Sequence, residues 1–333
     1  MAALFGSTTF DQTPVVTTTL DDLDLQAVAQ HLDYARMQGR YRGDAADPVT
    51  FLMEQRAVVE IESAVIPTVA GILFFGKQPQ RHLPYATTKL ARYRGNEINA
   101  SEVHHIDEYS GNVRQQIDRV VAYLNDHIER GYALDGGAQR VEQPQYPPTA
   151  LRELTVNAVA HRDYTIMASS IRIAMFQNRI EWSSPGSLPS GVTLENILDM
   201  QFARNPQLAQ LLYQSGYVEA YGQGLDTVFN MLQAQHLPLP TMREAGSMFV
   251  IGIEGHQPTG LDAEQLASLT EPEHQIVSVV RSRRSATTQD VIEALAPRSE
   301  RSVQYDLKRL VERGVLKRVG KGRATAYMLS RTS

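Results

Sequence analysis

The stretch RELTVNAVAHRDYT, Arg152 to Thr165, seats a glutamate, an asparagine and a histidine four residues apart in an otherwise apolar run. On a helix, Glu153, Asn157 and His161 share one face, because side chains at i and i+4 lie one above the other. Leu154, Val156, Ala158 and Val159 cover much of the remainder, so the polar stripe borders a packed core. A carboxylate beside an amide in that setting points to a site. The competing reading is a local i,i+4 hydrogen bond that trims the helix.

Working outward, VEQPQYPPTA supplies three prolines in ten residues just before this helix and marks a boundary there. After the helix, SSIRIAMFQNRIEWSSPGSLP reads as two strands around a tight Gln177-Asn178 turn, followed by a Pro-Gly turn. TLENILD, NPQLAQLLYQSG and GLDTVFNMLQAQ read as helices and SMFVIGIEG as a closing strand. Helices then cover a mixed sheet over residues 147–255. Upstream, residues 1–19 are threonine-rich without hydrophobic period, a flexible or strap-like lead-in. Residues 20–146 read as an α+β region. There LDLQAVAQHLDYARM and VTFLMEQRAVV are helical, TVAGILFFG and TTKLARYRG are strands, and GNVRQQIDRVVAYLNDHIERG is a long amphipathic helix closed by Gly131. Residues 256–270 serve as a linker.

At 333 residues the chain has room for two or three domains, each with a core. Its 42% hydrophobic and 21% charged content fits a folded chain rather than a disordered one. With no cysteine, disulfides, thiolate metal sites and cysteine nucleophiles are excluded. The N-terminus lacks a basic region followed by an apolar one, and no run of 18 apolar residues occurs, so a cytoplasmic protein without membrane partners is expected. The net charge of −5 hides an asymmetry. Residues 271–333 hold 13 Lys+Arg against 7 Asp+Glu, net +6, which leaves net −11 upstream. A basic tail on an acidic body points to nucleic acid.

Two further patterns carry little. GILFFGKQ, Gly71 to Gln78, nearly spells a Walker A loop, but Gln78 replaces the Mg²⁺-binding hydroxyl and the apolar run reads as a strand core. His104 and His105 are adjacent with no carboxylate spacing to complete a metal motif, and read as surface residues. YGQGLDTV differs: Gly222 and Gly224 lie directly before a helix, where backbone N–H groups and the helix dipole meet phosphate.

LRELTVNAVAHRDY, IEWSSPGSLPSG, RNP and YGQGLDTVFNM, in this order, resemble the divergent ATPase domain of bacterial RecG-related or Schlafen AlbA-type transcriptional regulators. That domain is similar to the Bergerat-fold (GHKL) ATPases, an α/β sandwich of helices on a mixed sheet. The resemblance covers about Leu20 to Gly255. Relatives commonly carry an AlbA-like domain ahead of it, which would end before this chain begins. It implies ATP and Mg²⁺ as cofactors, with Glu153 polarising the attacking water and Asn157 ligating the metal. It implies that SPGSLP stands for the box normally written D-x-G-x-G, with Ser184 in place of the adenine-binding aspartate, Gly186 kept, and Leu188 in place of the second glycine. Gly222 and Gly224 would meet the phosphates. His161, Arg162 and Asp163 belong to the subfamily pattern; Arg162 would pair with phosphate or with Asp163 or another neighbour.

In the tail, EHQIVSVVRSRR, TTQDVIEALA and SERSVQYDLKRLVERG read as three helices, with Thr288 and Ser299 as N-caps and Gly314 as terminator. VLKRVGKGRATAYMLS follows as two strands around a Gly-Lys-Gly turn, and the whole resembles a winged helix-turn-helix over residues 271–333. Arg301, Gln304, Tyr305 and Lys308, with Arg309 nearby, stand at recognition spacing, while Leu307, Leu310 and Val311 pack inward. Lys317, Arg318, Lys321 and Arg323 on the wing would meet phosphates. The expected whole is an α+β multidomain, dimeric, ATP-binding DNA regulator. The alternatives are an ATPase of a DNA-processing or phage-defence assembly, and a degenerate nucleotide domain acting as a dimerisation scaffold.

Overall fold

The computed structural model describes residues 9–134, 140–200, 202–218, 224–235, 237–256, 268–283, 285–320 and 325–330. They fall into two compact units. The first comprises Met1–His127, Pro148–Gln233 and Leu239–Glu254; the second comprises Ile128–Pro147, Ala234–Pro238 and Gly255–Ser333.

The first unit opens with α1 (Leu25–Met37), capped by the Asp24 carboxylate, and α2 (Pro48–Glu54), capped by Asp47 with proline in its first turn. Arg56, at φ +51°, stops α2, and the next residues form β1 (Val58–Ile61) and β2 (Ala64–Pro67), paired antiparallel around Glu62 and Ser63. The expected helix over VTFLMEQRAVV therefore ends at Glu54, and its last two residues, Val58 and Val59, open a strand.

TVAGILFFG, expected as a strand, holds the helix α3 (Val69–Phe75) instead. Every residue of α3 is buried, so the sequence has no polar face to reveal a period. Thr68 decides the matter locally, its hydroxyl accepting from Gly71 N at 3.3 Å. Gly71 allows the packing, since a Cβ there would sit 2.0 Å from the Ala57 carbonyl oxygen. The exclusion of a phosphate loop stands on this buried helix, with Lys77 Nζ donating to the Asp21 carbonyl at 2.8 Å.

Further along come β3 (Thr88–Tyr93), β4 (Val103–Tyr109) and α4 (Val113–His127). Gly131 does not close α4; it lies in β5 (Arg130–Leu134), which pairs with β6 (Arg140–Pro144) in the second unit. Then follow α5 (Pro148–Ala160), β7 (Ile171–Met175), β8 (Arg179–Pro185), α6 (Pro206–Gln214), α7 (Gly224–Ala234), β9 (Thr241–Ala245) and β10 (Met248–Glu254). TLENILD, expected as helical, forms turns.

Six strands make one mixed sheet in the order β4-β3-β7-β8-β10-β9, parallel only between β3 and β7. Strands from both sides of the proline-rich stretch thus share one sheet. Its buried side chains include Leu90, Ile173, Ile180, Trp182 and Ile253, with α5 packed on β8 and α4 beside α5. Trp182 is 1% exposed and its indole N–H donates to Thr155 Oγ1 at 3.1 Å, so shortening it to alanine costs about 3–5 kcal/mol.

The lead-in is no loose tail over residues 9–19. Asp11 is buried, and its carboxylate accepts from Gln207 N at 2.8 Å and Leu208 N at 3.2 Å, capping α6 from almost two hundred positions away.

In the second unit, α8 (Glu271–Ser282), β11 (Ala286–Thr287), α9 (Thr288–Ala294), α10 (Glu300–Glu312), β12 (Leu316–Val319) and β13 (Ala326–Leu329) form a winged helix with strand order β11-β13-β12. Ile276, Val280, Val291, Val303, Leu307 and Leu310 fill its core. The cap of α9 is Thr287, one residue before the expected Thr288, and Ser299 caps α10 as expected. Val311, expected inside, is partly buried against this core.

Candidate functional site

The polar stripe of α5 runs from core to rim. Glu153 is buried, Asn157 half-buried and His161 exposed. Gly224, the first residue of α7, lies directly on the first two. A Cβ there would come within 3.0 Å of Asn157 Nδ2, 3.1 Å of its Oδ1 and 3.1 Å of Glu153 Oε2. Glycine lets the backbone approach the pair, and the N-terminal end of α7 brings a partial positive charge to it.

Beside this contact is a cavity of about 150 Å³. Leu154, Trp182, Phe249 and Ile251 supply apolar walls, and Asn157, His161, Ser184, Arg204 and Asp226 supply polar groups. Ser184 is buried and its hydroxyl donates to the Ala158 carbonyl at 2.8 Å. That proton is committed, so the oxygen faces the cavity as an acceptor. Gly186 has φ +118°, and a Cβ on it would stand 2.8 Å from Asp163 Cβ. Only glycine fits there without strain.

HRD, SPGS and RNP, apart in sequence, form one knot. Asp163 N donates to the Pro185 carbonyl at 2.7 Å. The Asp163 carboxylate pairs with Arg204 Nη1 at 3.0 Å, and Arg204 also donates to the Ser187 carbonyl. Asn205 Nδ2 donates to the carbonyls of Ala160 at 2.9 Å and Arg162 at 2.8 Å, satisfying groups at the end of α5. Arg204, Asn205 and Asp163 thereby fix the cavity rim. RNP was visible in the sequence, but nothing local said what it holds.

Arg162 is not where a phosphate contact requires it. It is 2% exposed, and its Nη2 donates to the carbonyls of Tyr85 at 3.2 Å, Ile166 at 3.1 Å and Ser169 at 2.7 Å. Its guanidinium lies 4.6 Å from the Tyr164 ring, and Asp163 meets it only through the backbone carbonyl. Of the expected alternatives, phosphate or a neighbour, these contacts fit the neighbour: Arg162 is a buried tie between chain segments. Gly222 lies outside the described residues.

On the winged helix, Arg301, Gln304, Tyr305 and Lys308 are all exposed along α10, and Lys317 and Arg318 are exposed on β12. Arg309 departs from the expected set. Its Nε lies 3.1 Å from Glu273 Oε1, and Arg313 Nη1 lies 3.1 Å from the same oxygen. Burial alone would raise the Glu273 pKa. The Thr270 N–H and hydroxyl, with Arg309 and Arg313, outweigh it and hold the carboxyl below the usual range. Arg309 therefore braces α10 against α8. Lys321 and Arg323 lie outside the described residues.

Comparison with known proteins follows this division. Residues 168–253 match the family described as "Putative ATP-dependent DNA helicase recG C-terminal". Residues 269–332 match the family described as "Penicillinase repressor". An ATPase-like domain thus precedes a repressor-like winged helix. Ser184, Gly186 and Gly224 lie inside the first match; Glu153 and Asn157 lie ahead of it. No curated protein matches the chain. The crystal structure of the DIP2311 protein from Corynebacterium diphtheriae is similar in fold, with TM-score 0.60 and 20% identity over 97% of this chain. The chain covers 65% of that structure's own chain. Among the described residues, no helix is long and apolar enough to cross a membrane.

Proposed function

We propose that the chain is a DNA-binding transcriptional regulator whose ATPase-like domain binds ATP with Mg²⁺. The observation that carries this is Gly224 seated on Glu153 and Asn157 at the edge of a cavity that also holds the acceptor-only hydroxyl of Ser184. The donor set suits the ligand. Oxygen atoms of Asn157 and Glu153 suit Mg²⁺, and the α7 N-terminus suits phosphate. The Ser184 oxygen suits an exocyclic amino group such as that of adenine, and disfavours a carbonyl at the same place. Bound Mg²⁺ would supply charge neutralisation at the phosphates. Arg301, Gln304, Tyr305 and Lys308 would read base edges, with Lys317 and Arg318 on phosphates. A homodimer would present two such helices to paired half-sites.

Titration of a fluorescent ATP analogue with Mg²⁺ against wild type and Asn157→Ala tests the nucleotide reading. Binding by wild type and its loss in the variant are expected; absence of wild-type binding leaves the domain as a scaffold. A second reading, ATP hydrolysis as the output, is favoured by the buried carboxylate of Glu153 beside Asn157. It predicts that wild type turns over ATP while Glu153→Ala binds without turnover.

A further inference from the structure

Beyond its first turn, α7 borders a second space. Val228 and Leu232, both fully buried, mark the side of α7 that packs into the core. Asp226, Asn230 and Gln233 stand at i, i+4 and i+7 on the opposite side, because each residue advances the helix by about 100°. With Phe229 they line a cleft of about 560 Å³. Its further walls include Leu198, from the turns over residues 194–199, and Leu239, just ahead of β9. Leu239 is 54% exposed.

A polar row on a surface helix is ordinarily answered by water alone. Here the row shares a concave space with apolar walls, and among the described residues none of the three polar side chains makes a hydrogen bond or an ion pair. Asp226 is half-buried, and its carboxylate only accepts. The group that meets it must therefore donate, and a charged donor makes the stronger bond. The amide oxygens of Asn230 and Gln233 add acceptors, and an aromatic ring such as that of Phe229 attracts a cation over its face. Leu198 and Leu239 suit the apolar part of the same ligand. An anion would be repelled by Asp226, and a wholly apolar ligand would strip water from the carboxylate without replacing it.

We infer that this cleft is a binding site for a small organic cation, an ammonium or guanidinium carried on an apolar group, with Asp226 as its charge partner. The site uses neither Glu153 nor Asn157 and does not depend on the nucleotide reading. Leu198 and Asp226 also line the smaller cavity, so the two spaces adjoin.

The experiment is calorimetric titration of the full chain, without nucleotide, with benzylammonium and with its neutral counterpart benzyl alcohol. Wild type, Asp226→Asn, Asn230→Asp and Glu60→Gln are compared, with thermal unfolding of each recorded alongside. Glu60 is exposed on β1 and controls for general attraction of a cation to an acidic body. Wild type should bind benzylammonium at least about tenfold more tightly than benzyl alcohol, and Asp226→Asn should remove that difference. Asn230→Asp, which adds a carboxylate to the row at an exposed position, should tighten benzylammonium severalfold. Glu60→Gln should change affinity by less than about twofold. No binding of benzylammonium by wild type, equal affinity for the two probes, or equal weakening by Asp226→Asn and Glu60→Gln overturns the assignment and leaves the nucleotide reading untouched. If Asp226→Asn unfolds, unchanged benzylammonium affinity in Asn230→Asp overturns it as well. Absent cation binding together with a changed mass of Asp226→Asn in sedimentation would make the cleft a contact with a protein side chain, and the assignment falls.

Discussion

Helices α5 and α10 carry similar polar stripes, Glu153, Asn157 and His161 on one and Arg301, Tyr305 and Lys308 on the other, yet they are put to opposite uses. The α10 stripe is exposed along its length. The α5 stripe descends into the fold, where Gly224 and the cavity meet it. Helical period places residues on a face; what packs against that face decides whether it is a surface or a site. The arginines repeat the lesson. Arg162, expected on phosphate or on a neighbour, holds backbone carbonyls, and Arg309, expected beside the base-reading set, holds a buried carboxylate.

Substitutions that separate these uses sharpen the contrast. The largest loss is expected for Arg162→Ala, which strands four carbonyls that now accept from one guanidinium; chemical denaturation should report about 3 kcal/mol or more. An unchanged midpoint would remove its structural role. Next, Gly186→Ala at φ +118° and against Asp163 should cost about 1–3 kcal/mol and weaken nucleotide binding, read by thermal unfolding and titration. Arg301→Ala should leave the melting temperature in place and lower affinity for a specific operator by about 1–3 kcal/mol in a mobility-shift titration. The smallest effect belongs to Lys317→Ala, expected to reduce the slope of log affinity against log salt by about one, equally on specific and random DNA.

The buried Glu273 adds a pH dependence to the winged helix. Its carboxyl titrates lower in the fold than in the unfolded chain, so its contribution is present above the unfolded value and is lost as pH falls through the folded one. Urea midpoints of wild type should drop over that acidic interval, and Glu273→Gln should be less stable at neutral pH with a flatter profile.

Legibility followed the distance over which a residue finds its partner. The winged helix was readable because its caps and periodic core are local: Ser299 at the head of α10, with Val303, Leu307 and Leu310 along it. Segment 69–75 was misread because burial on every side erased the period. β9 and β4 escaped notice for a related reason, since edge strands with exposed residues show little apolar alternation. In the candidate site, Glu153, Asn157, Ser184 and Gly224 were legible through a motif pattern. RNP was visible too, but what Arg204 and Asn205 hold was not, because Asn205 meets only backbone carbonyls and Arg204 a distant carbonyl and the Asp163 carboxylate, which nothing local in the sequence identifies.

By itself the sequence determined the amphipathic helices, the central strands and the charge division between body and tail. These depend on period, composition and residue type, all written along the chain. Tertiary structure alone decided that Asp11 caps a helix almost two hundred residues away, that Arg162 faces inward, and that Gly224 closes on Glu153 and Asn157. Each of those outcomes depends on which distant backbone group comes within hydrogen-bond or van der Waals reach, and that is fixed only when the elements pack.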